Sequence, residues 1–268
     1  MFPSIQRLGM AILAASTFSV AIGSSYSLPV KAASFTTDDE VKCEGNFRGR
    51  SGTGICVFSE VKPGSPYSYY RGQVQNGVPN GTGTFVYVND DRYEGSVRNG
   101  QPNGRGVLLF ANGDRYEGTF VNGKFSGSGV LIYKDGGRYV GSFREGEFSG
   151  KGTLILANGT SYTGGLLEGQ PHGKGTMKFG SSTYTGDFYL GQVNGQGVLT
   201  STDGFRCQGT FFSSQLSGKG TCTFPKGSPF KSYVGEFRGG KPDGKGVITY
   251  VNGKQLSGLF RSGQPVNP

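Results

Sequence analysis

A segment of about 23 residues, repeated with small changes, constrains the possible folds of this chain more than any other feature. Its most regular copy runs from Tyr93 to Arg115. Nine copies and a truncated tenth begin at Cys43, Tyr70, Tyr93, Tyr116, Tyr139, Tyr162, Tyr184, Cys207, Tyr233 and Leu256. If that first residue is position 1, position 3 is glycine and position 5 is apolar in all ten copies. A period of this length indicates a repeat architecture.

Each repeat is predicted to be a β-hairpin. After position 5 comes a turn with glycine at position 8, and then a Gly-x-Gly such as Gly104-Arg105-Gly106 opens a second apolar run, Val107 to Phe110. Short runs rich in aromatic and β-branched residues between glycine-rich turns are typical of strands. Dipeptides such as Asn112-Gly113 then turn the chain into the next repeat, because glycine tolerates a positive φ. The predicted fold is all-β, an elongated single-layer antiparallel β-meander of hairpin repeats.

Alternation along the strands divides the repeat into two faces. Positions 1, 3, 5, 14, 16 and 18 share one face, which carries the tyrosines, the paired glycines and most of the phenylalanines. The opposite face carries polar and small residues such as Glu94 and Ser96. A single sheet with one apolar face and no covering helix should curl about that face, and the paired glycines let aromatic rings fold over the strands.

The first 32 residues are predicted to be an export signal. Arg7 precedes an apolar run from Leu8 to Ile22, and Val30-Lys31-Ala32 suits a signal peptidase. The alternative is a retained anchor, although the run is shorter than the ~20 residues that span a bilayer. The predicted organisation is a signal peptide at 1–32, a short lead at 33–42 and the repeat array at 43–268. The exported protein, with a formal charge of +7, would be periplasmic or extracellular and in contact with the envelope.

The four cysteines fall at equivalent places in two repeats. Cys43 and Cys207 occupy position 1, and Cys56 and Cys222 occupy the place of position 16. If the hairpin turn is centred near positions 8 and 9, position 1 faces position 16, within disulfide reach. The prediction is therefore Cys43 with Cys56 and Cys207 with Cys222. A four-cysteine zinc site and buried unpaired cysteines are the alternatives, and the seven repeats between the pairs oppose the zinc site.

Two features are candidates for binding. Cations recur at position 13 and would attract an anionic lipid or another polyanion along one lip of the sheet; the alternative is a solvated edge that resists edge-to-edge pairing. The five cations are Arg105, Lys151, Lys174, Lys219 and Lys245. The aromatic face would form an apolar groove for a ligand or, alternatively, the core of the fold. Its candidate residues are Tyr93, Tyr116, Tyr139, Tyr162, Tyr184, Phe120, Phe143 and Phe188.

The sequence offers no constellation for catalysis. The single histidine, His172, falls where other repeats carry turn residues such as Asn103. Acidic residues show no recurring pair of the kind that supports acid/base chemistry. The Gly-x-Gly pattern opens a strand and never a helix, so it is not a dinucleotide fingerprint. The prediction is a non-catalytic protein with no metal site and no cofactor.

The repeat resembles the MORN motif, the membrane occupation and recognition nexus. The resemblance rests on Tyr-x-Gly, the position-8 glycine, Gly-x-Gly and the following apolar strand, and it covers Cys43 to Pro268. Departures are Cys43, Cys207 and Leu256 at position 1 and Ser214 at position 8. The family implies scaffolding, often by self-association, and in some members lipid association. MORN arrays also accompany phosphoinositide kinase and lysine methyltransferase domains, but the repeats leave no residues for either.

The leading functional prediction is an exported interaction scaffold at the cell envelope. The alternative is direct binding of anionic phospholipid, or of another envelope polyanion, through the position-13 cations. The partners implied are proteins, a second copy of the chain and an anionic membrane surface. Nucleic acid is not implied, because no exposed face interleaves bases with aromatic residues.

Overall fold

The computed structural model describes residues 33–37, 41–58 and 66–266. The predicted signal peptide lies outside these residues, as do 38–40, 59–65 and 267–268. Every regular element in the described part of the chain is a β-strand. The chain divides into two units at Glu147 and Phe148, here called the N-terminal unit and the C-terminal unit.

The strands follow one another with short turns between them. The N-terminal unit contains β1 Ala33–Thr36, β2 Lys42–Arg48, β3 Ser51–Val57, β4 Tyr67–Gln75, β5 Val78–Tyr87, β6 Arg92–Arg98, β7 Gln101–Leu109, β8 Arg115–Val121, β9 Lys124–Ile132 and β10 Arg138–Arg144. The strand β11, Glu147–Ile155, begins at the division. The C-terminal unit continues with β12 Ser161–Leu167, β13 Gln170–Phe179, β14 Ser182–Tyr189, β15 Gln192–Ser201, β16 Arg206–Phe212, β17 Gln215–Thr223, β18 Phe230–Arg238, β19 Lys241–Tyr250, β20 Gln255–Arg261 and β21 Gln264–Pro265.

Within each unit, consecutive strands pair antiparallel in the register that the repeat predicts. In the Tyr93 repeat, Tyr93 lies opposite Leu108 and Gly95 lies opposite Gly106. Position 1 therefore faces position 16, and the glycine of position 3 faces the glycine of position 14. The same register recurs in the C-terminal unit, where Gly186 lies opposite Gly197. The all-β class and the antiparallel meander are confirmed.

The two kinds of turn have different geometries. At the hairpin tip, Asn99 and Gly100 have φ of 50° and 76°, as a two-residue type I′ turn requires. Between repeats, Gly113 alone takes a positive φ, 95°, and its N–H donates to the carbonyl of Phe110. That pattern is a three-residue turn ending in a left-handed glycine. The Asn-Gly dipeptides between repeats are turns, as predicted, but the tighter turn lies inside the repeat.

The core is built by tyrosines that fold over the paired glycines. A Cβ added at Gly106 would overlap the Tyr93 ring, so only glycine leaves room for it. The Tyr93 hydroxyl reaches past the glycines and donates to the carbonyl of Ser96 at 2.6 Å. In each of seven repeats the position-1 tyrosine donates to the carbonyl three residues on; these tyrosines are Tyr70, Tyr93, Tyr116, Tyr139, Tyr162, Tyr184 and Tyr233.

Successive repeats are linked through the same rings. The position-5 phenylalanine of one repeat meets the tyrosine of the preceding repeat edge-on, as Phe120 meets Tyr93 with centroids 4.9 Å apart. In the C-terminal unit, Phe211 meets Tyr184 in the same way at 5.1 Å. A backbone hydrogen bond also links successive repeats, since the Gly123 N–H donates to the carbonyl of Pro102 in the preceding repeat. Such nearest-neighbour contacts are what stabilise repeat proteins.

Repeats without a position-1 tyrosine fill the same space differently. In the first repeat the Phe47 ring covers Gly52 and Gly54. In the eighth, Leu216 lies beside Gly209 and Gly220. In the truncated tenth repeat, a Cβ added at Gly258 meets nothing within 4 Å, so that glycine is uncovered. The loss of the tyrosine is thus compensated in two repeats and not in the last.

Candidate functional site

The aromatic groove candidates all lie in the core. Tyr93, Tyr116, Tyr139 and Tyr184 are 0% exposed and Tyr162 is 2% exposed. The phenylalanines Phe120, Phe143 and Phe188 are buried to the same degree. Their burial therefore fits the alternative interpretation, in which this face is the core of the fold.

Burial also changes the tyrosine hydroxyls. Desolvation raises the pKa of Tyr70, Tyr116, Tyr162 and Tyr184 to about 12. The hydrogen bonds that these hydroxyls donate to backbone carbonyls require the protonated form. The tyrosines consequently serve as neutral donors that hold the fold.

The position-13 cations are exposed and lie mid-strand on the polar face, not along a lip of the sheet. Lys174, for example, lies at the middle of β13. Its ammonium group is 2.6 Å from the carboxylate of Asp187 on β14, and Lys219 lies opposite Glu236. Among the five position-13 cations, Lys174 alone makes an ion pair within the described residues. The four cations that make none there are Arg105, Lys151, Lys219 and Lys245.

The acidic neighbours of these cations have a structural task of their own. A β-bulge lies between Gly186 and Phe188, so the ladder skips Asp187. The Asp187 carboxylate accepts a bond from the backbone N–H of Gln196 at 2.9 Å. Glu236 does the same for the N–H of Lys245 at 3.2 Å. The carboxylates at position 4 therefore satisfy backbone donors that the bulge leaves free, and partly neutralise the row of cations.

A shallow groove of about 530 Å³ runs across the polar face of the C-terminal unit. Lys174, Thr176, Thr185, Gln196 and Gln208 line it. The hydroxyls of Thr176 and Thr185 are 3.1 Å apart, and the Gln196 amide donates to Thr210 at 2.6 Å. The groove thus offers neutral donors and acceptors with one cation that is already paired.

A row of exposed apolar side chains, which sequence reasoning missed, lies next to the hairpin tips of the C-terminal unit. We call Leu167, Tyr189 and Phe212, all at position 6, the tip row; they are 40%, 57% and 65% exposed. Each lies opposite a glutamine, as Phe212 lies opposite Gln215. Position 6 is arginine in several other repeats, so the apolar set is visible only when the repeats are compared at this one position.

A second row, in the N-terminal unit, alternates aliphatic and cationic residues. Leu109 lies opposite Arg115, which lies opposite Ile132, which lies opposite Arg138. Leu109 and Ile132 are 45% and 40% exposed. Arginine is enriched in protein interfaces, so this row is a second candidate surface for protein contact.

Both predicted disulfides are present. Cys43 is bonded to Cys56 and Cys207 to Cys222, with Cα atoms 4.1 Å apart in each pair. Both bonds cross directly paired positions 1 and 16. No cysteine in the described part of the chain is free. Two disulfides are compatible with an oxidising, exported location.

Two kinds of candidate feature, buried polar side chains and metal-ligand groups, are absent from the described residues. Buried polar or charged side chains are absent from the core of this part of the chain. Over the same residues, no group of three or more histidine, cysteine or acidic side chains is placed to hold a metal ion. His172 lies on β13, with its ring 5.5 Å from that of Tyr189. Residues 33–37, 41–58 and 66–266 also contain no helix long and apolar enough to cross a bilayer.

This architecture defines a β-hairpin repeat protein whose repeats share one aromatic core. A family model described as the MORN repeat matches residues 70–92, 93–115, 116–138, 139–161, 162–183, 184–206, 207–228 and 233–255. The chain belongs to the MORN-repeat family, whose members are protein- and membrane-interaction proteins and generally non-catalytic. The eight matched repeats are the second to the ninth of those counted from the sequence.

Comparison with other proteins adds little beyond the family. A search of curated proteins returns no match. Among solved structures, the G-box domain of the microcephaly protein CPAP is 12% identical, with 86% of this chain and 100% of that chain covered and a TM-score of 0.30. The TCP domain of Drosophila melanogaster dCPAP, in complex with a proline-rich motif of dSTIL, is 11% identical over 90% and 97%, with a TM-score of 0.27. These TM-scores are too low to carry an argument about this chain.

Proposed function

We propose that this protein is a non-catalytic, exported scaffold that binds other proteins at the cell envelope. The observation that carries the proposal is the tip row, Leu167, Tyr189 and Phe212. These side chains remain 40–65% exposed, whereas the position-1 tyrosines beside them, Tyr162 and Tyr184, are at most 2% exposed. Tyrosine and phenylalanine are enriched in the centres of protein interfaces. The two disulfides and the predicted signal peptide support export.

A crosslinking pull-down from the envelope fraction tests the scaffold. The full chain is compared with a Tyr189→Ser, Phe212→Ser double variant, which alters only exposed side chains and should fold normally. We expect one set of captured proteins to be lost from the double variant. Val251→Ser is the matched control, because Val251 is 67% exposed but lies in a turn away from the tip row. Equal capture by wild type and the double variant would contradict the proposal.

The second candidate is binding of an anionic phospholipid surface through the position-13 cations. It is favoured by the exposed placement of Lys151 and Lys219, which have no ion pair among the described residues. Each cation near an anionic bilayer contributes ~1 kcal/mol. The paired Lys174 should contribute less than these two.

Vesicle sedimentation tests this candidate. Vesicles with and without phosphatidylserine are compared at low and high salt. Binding that needs the anionic lipid, weakens with salt and is lost in Lys151→Glu, Lys219→Glu would support it. The control, Lys254→Glu, makes a charge change of the same kind at an exposed turn. Equal sedimentation with and without phosphatidylserine would contradict this candidate and leave the protein scaffold as the proposed function.

A further inference from the structure

The described chain begins with the second half of a repeat. Ala33 in β1 lies opposite Gly45, and Phe35 lies opposite Cys43. In a complete pair of repeats, Gly83 lies opposite Gly95 and Phe85 lies opposite Tyr93. Ala33 and Phe35 therefore occupy positions 14 and 16 of a repeat that precedes the first. Among the described residues, β1 pairs with β2 alone, and none of these residues supplies the first strand of that repeat.

The last strands of the described chain, β20 and β21, supply the first half of a repeat. Strand β20 pairs with β19 in the usual register, Leu256 opposite Ile248 and Gly258 opposite Gly246. Strand β21 adds only two pairs, Phe260 with Pro265 and Arg261 with Gln264. These residues supply positions 1 to 10 of the tenth repeat. In the described part of the chain, residues 255–258 of β20 have no strand on their outer side.

We propose that β20 of one copy of this chain pairs with β1 of a second copy, so that two half repeats form one complete repeat. The register follows from the repeat, with Leu256 opposite Phe35 and Gly258 opposite Ala33 of the second copy. The inference rests on the proposed scaffold function and names a partner for it.

The side chains at the two ends are complementary in size. Elsewhere a tyrosine ring lies over the position-14 glycine, and a Cβ at Gly83 or Gly106 would overlap that ring. Strand β1 has Ala33 at position 14, which requires a shorter residue at position 1 of the same repeat. Strand β20 supplies it as Leu256. The space above Gly258, which holds nothing within 4 Å, would receive the Ala33 methyl group.

The aromatic contacts between repeats agree with the same pairing. In complete repeats the position-5 phenylalanine packs on the position-1 residue of the preceding repeat, as Phe260 packs on Tyr233 at 5.2 Å. In the first repeat that phenylalanine is Phe47, which packs instead on Phe35 at 4.9 Å. The position-1 residue missing beside Phe47 would be Leu256 of the other copy. Burial of Leu256, now 37% exposed, would contribute to association.

The two edges are different surfaces, so the contact is head-to-tail. Head-to-tail contacts produce rings when the rotation closes and open chains when it does not. Exposed strand edges readily accept another strand. The alternative, β20 pairing with β20 of a second copy, would give a closed symmetric dimer and is an outcome of the test.

Two variants of the full chain that each add one free cysteine beside the two native disulfides, Leu256→Cys and Phe35→Cys, test the register. Positions 1 and 16 are the ones that both native disulfides bridge, so a disulfide should form between copies. When the two variants are mixed and oxidised, we expect a covalent dimer that neither forms alone, with residues 35 and 256 linked in the peptide map. Position 34 lies on the opposite face of the strand, so a mixture of Leu256→Cys with Ser34→Cys should give about tenfold less covalent dimer.

Three results would overturn the inference. They are a dimer formed by Leu256→Cys alone, equal crosslinking by Ser34→Cys, and a wild-type chain that remains monomeric at high micromolar concentration by sedimentation velocity. Circular dichroism verifies that the variants fold. A monomeric chain that still captures proteins through the tip row would leave the proposed function standing. Equal capture by the wild type and the Tyr189→Ser, Phe212→Ser variant, together with normal crosslinking, would leave the inference standing and contradict the proposed function.

Discussion

The Tyr93 hydroxyl donates to the Ser96 carbonyl at 2.6 Å, across the two glycines on which its ring rests. This relationship joins the two strands of a hairpin, because the ring belongs to the first strand and covers a glycine of the second. It recurs in seven repeats, so the strongest predictions about the molecule concern it.

Removing one hydroxyl should weaken the fold measurably. Tyr93→Phe keeps the ring and leaves the Ser96 carbonyl without its donor, and we expect a loss of ~1 kcal/mol in the free energy of unfolding. Urea denaturation measures the loss. Tyr189→Phe is the control, since Tyr189 is 57% exposed and its hydroxyl is outside the core. Equal effects of the two changes would show that the bond to Ser96 contributes nothing.

Alkaline pH should unfold the protein steeply. The pKa of Tyr70, Tyr116, Tyr162 and Tyr184 is raised from 10.0 to about 12 by desolvation. The folded state therefore holds these protons more tightly than the unfolded state, and stability is complete below pH 10 and is lost as the pH rises from 10 toward 12. Each such tyrosine lowers the free energy of unfolding by ~1.4 kcal/mol per pH unit in that range.

Thermal unfolding across this range, followed together with tyrosinate absorbance, tests the pH dependence. We expect the midpoint to be nearly constant up to about pH 9.5 and then to fall while most tyrosines remain protonated in the folded protein. A midpoint that stays constant up to pH 11.5, or free titration of all tyrosines near pH 10, would contradict the burial of the hydroxyls.

A methyl group beneath a tyrosine ring should be poorly tolerated. In Gly106→Ala the new Cβ overlaps the Tyr93 ring, and we expect a loss of about 1–3 kcal/mol from overpacking. Gly258→Ala is the matched control, because its Cβ meets nothing within 4 Å and should change stability by less than about 0.5 kcal/mol. Thermal unfolding at low concentration compares them, and similar midpoints would refute the role of the ring.

Restoring the consensus glycine at the eighth hairpin tip should stabilise the protein. Ser214 has a φ of 65°, a left-handed conformation that costs a residue with a Cβ about 1–2 kcal/mol. Ser214→Gly relieves this cost, partly offset by the greater freedom of glycine when unfolded, so we expect a gain of ~0.5–1 kcal/mol in urea denaturation. The reciprocal change, Gly191→Ser at the seventh tip, should destabilise. A destabilised Ser214→Gly would be inconsistent with backbone strain there.

Reduction should weaken the eighth repeat. The Cys207–Cys222 bond spans a sequence separation of 15 residues, for which the chain-entropy model gives ~3 kcal/mol. We therefore expect Cys207→Ala, Cys222→Ala to unfold at lower urea and to lose part of the response to reductant. The remaining response belongs to Cys43–Cys56. A wild-type protein whose stability is unchanged by reductant would contradict the stabilising role of both bonds.

Much of this fold was predictable because the repeat fixes both side-chain alternation and register. Once position 1 faces position 16, the pairing of Cys207 with Cys222 follows without tertiary information, and so does the face that carries Tyr93. The hydroxyl bond to Ser96 was not predictable, because it depends on how far a ring bends over the glycines.

The surface was harder to predict than the core. The repeat pattern predicts Lys174 on a lip of the sheet, whereas it lies mid-strand beside Asp187. The bulge at Asp187, which lets its carboxylate reach the Gln196 N–H, has no signature in the repeat. The tip row was missed since position 6 holds Leu167, Tyr189 and Phe212 in three repeats and arginine in several others. The repeat pattern identifies the residues that all copies share, whereas the tip row lies at a position where the copies differ.

The contact between Tyr93 and Phe120 has a consequence for the history of the chain. Because the same ring meets the same ring at successive junctions within a unit, duplication or loss of one whole repeat would re-create the junction it interrupts. An insertion within a strand would place a polar residue under a ring, whereas the turns between repeats accept other lengths, since Tyr162 and Tyr184 are 22 residues apart and Cys207 and Tyr233 are 26 apart. Such a molecule can therefore change length by gain or loss of whole repeats without a change to its interior.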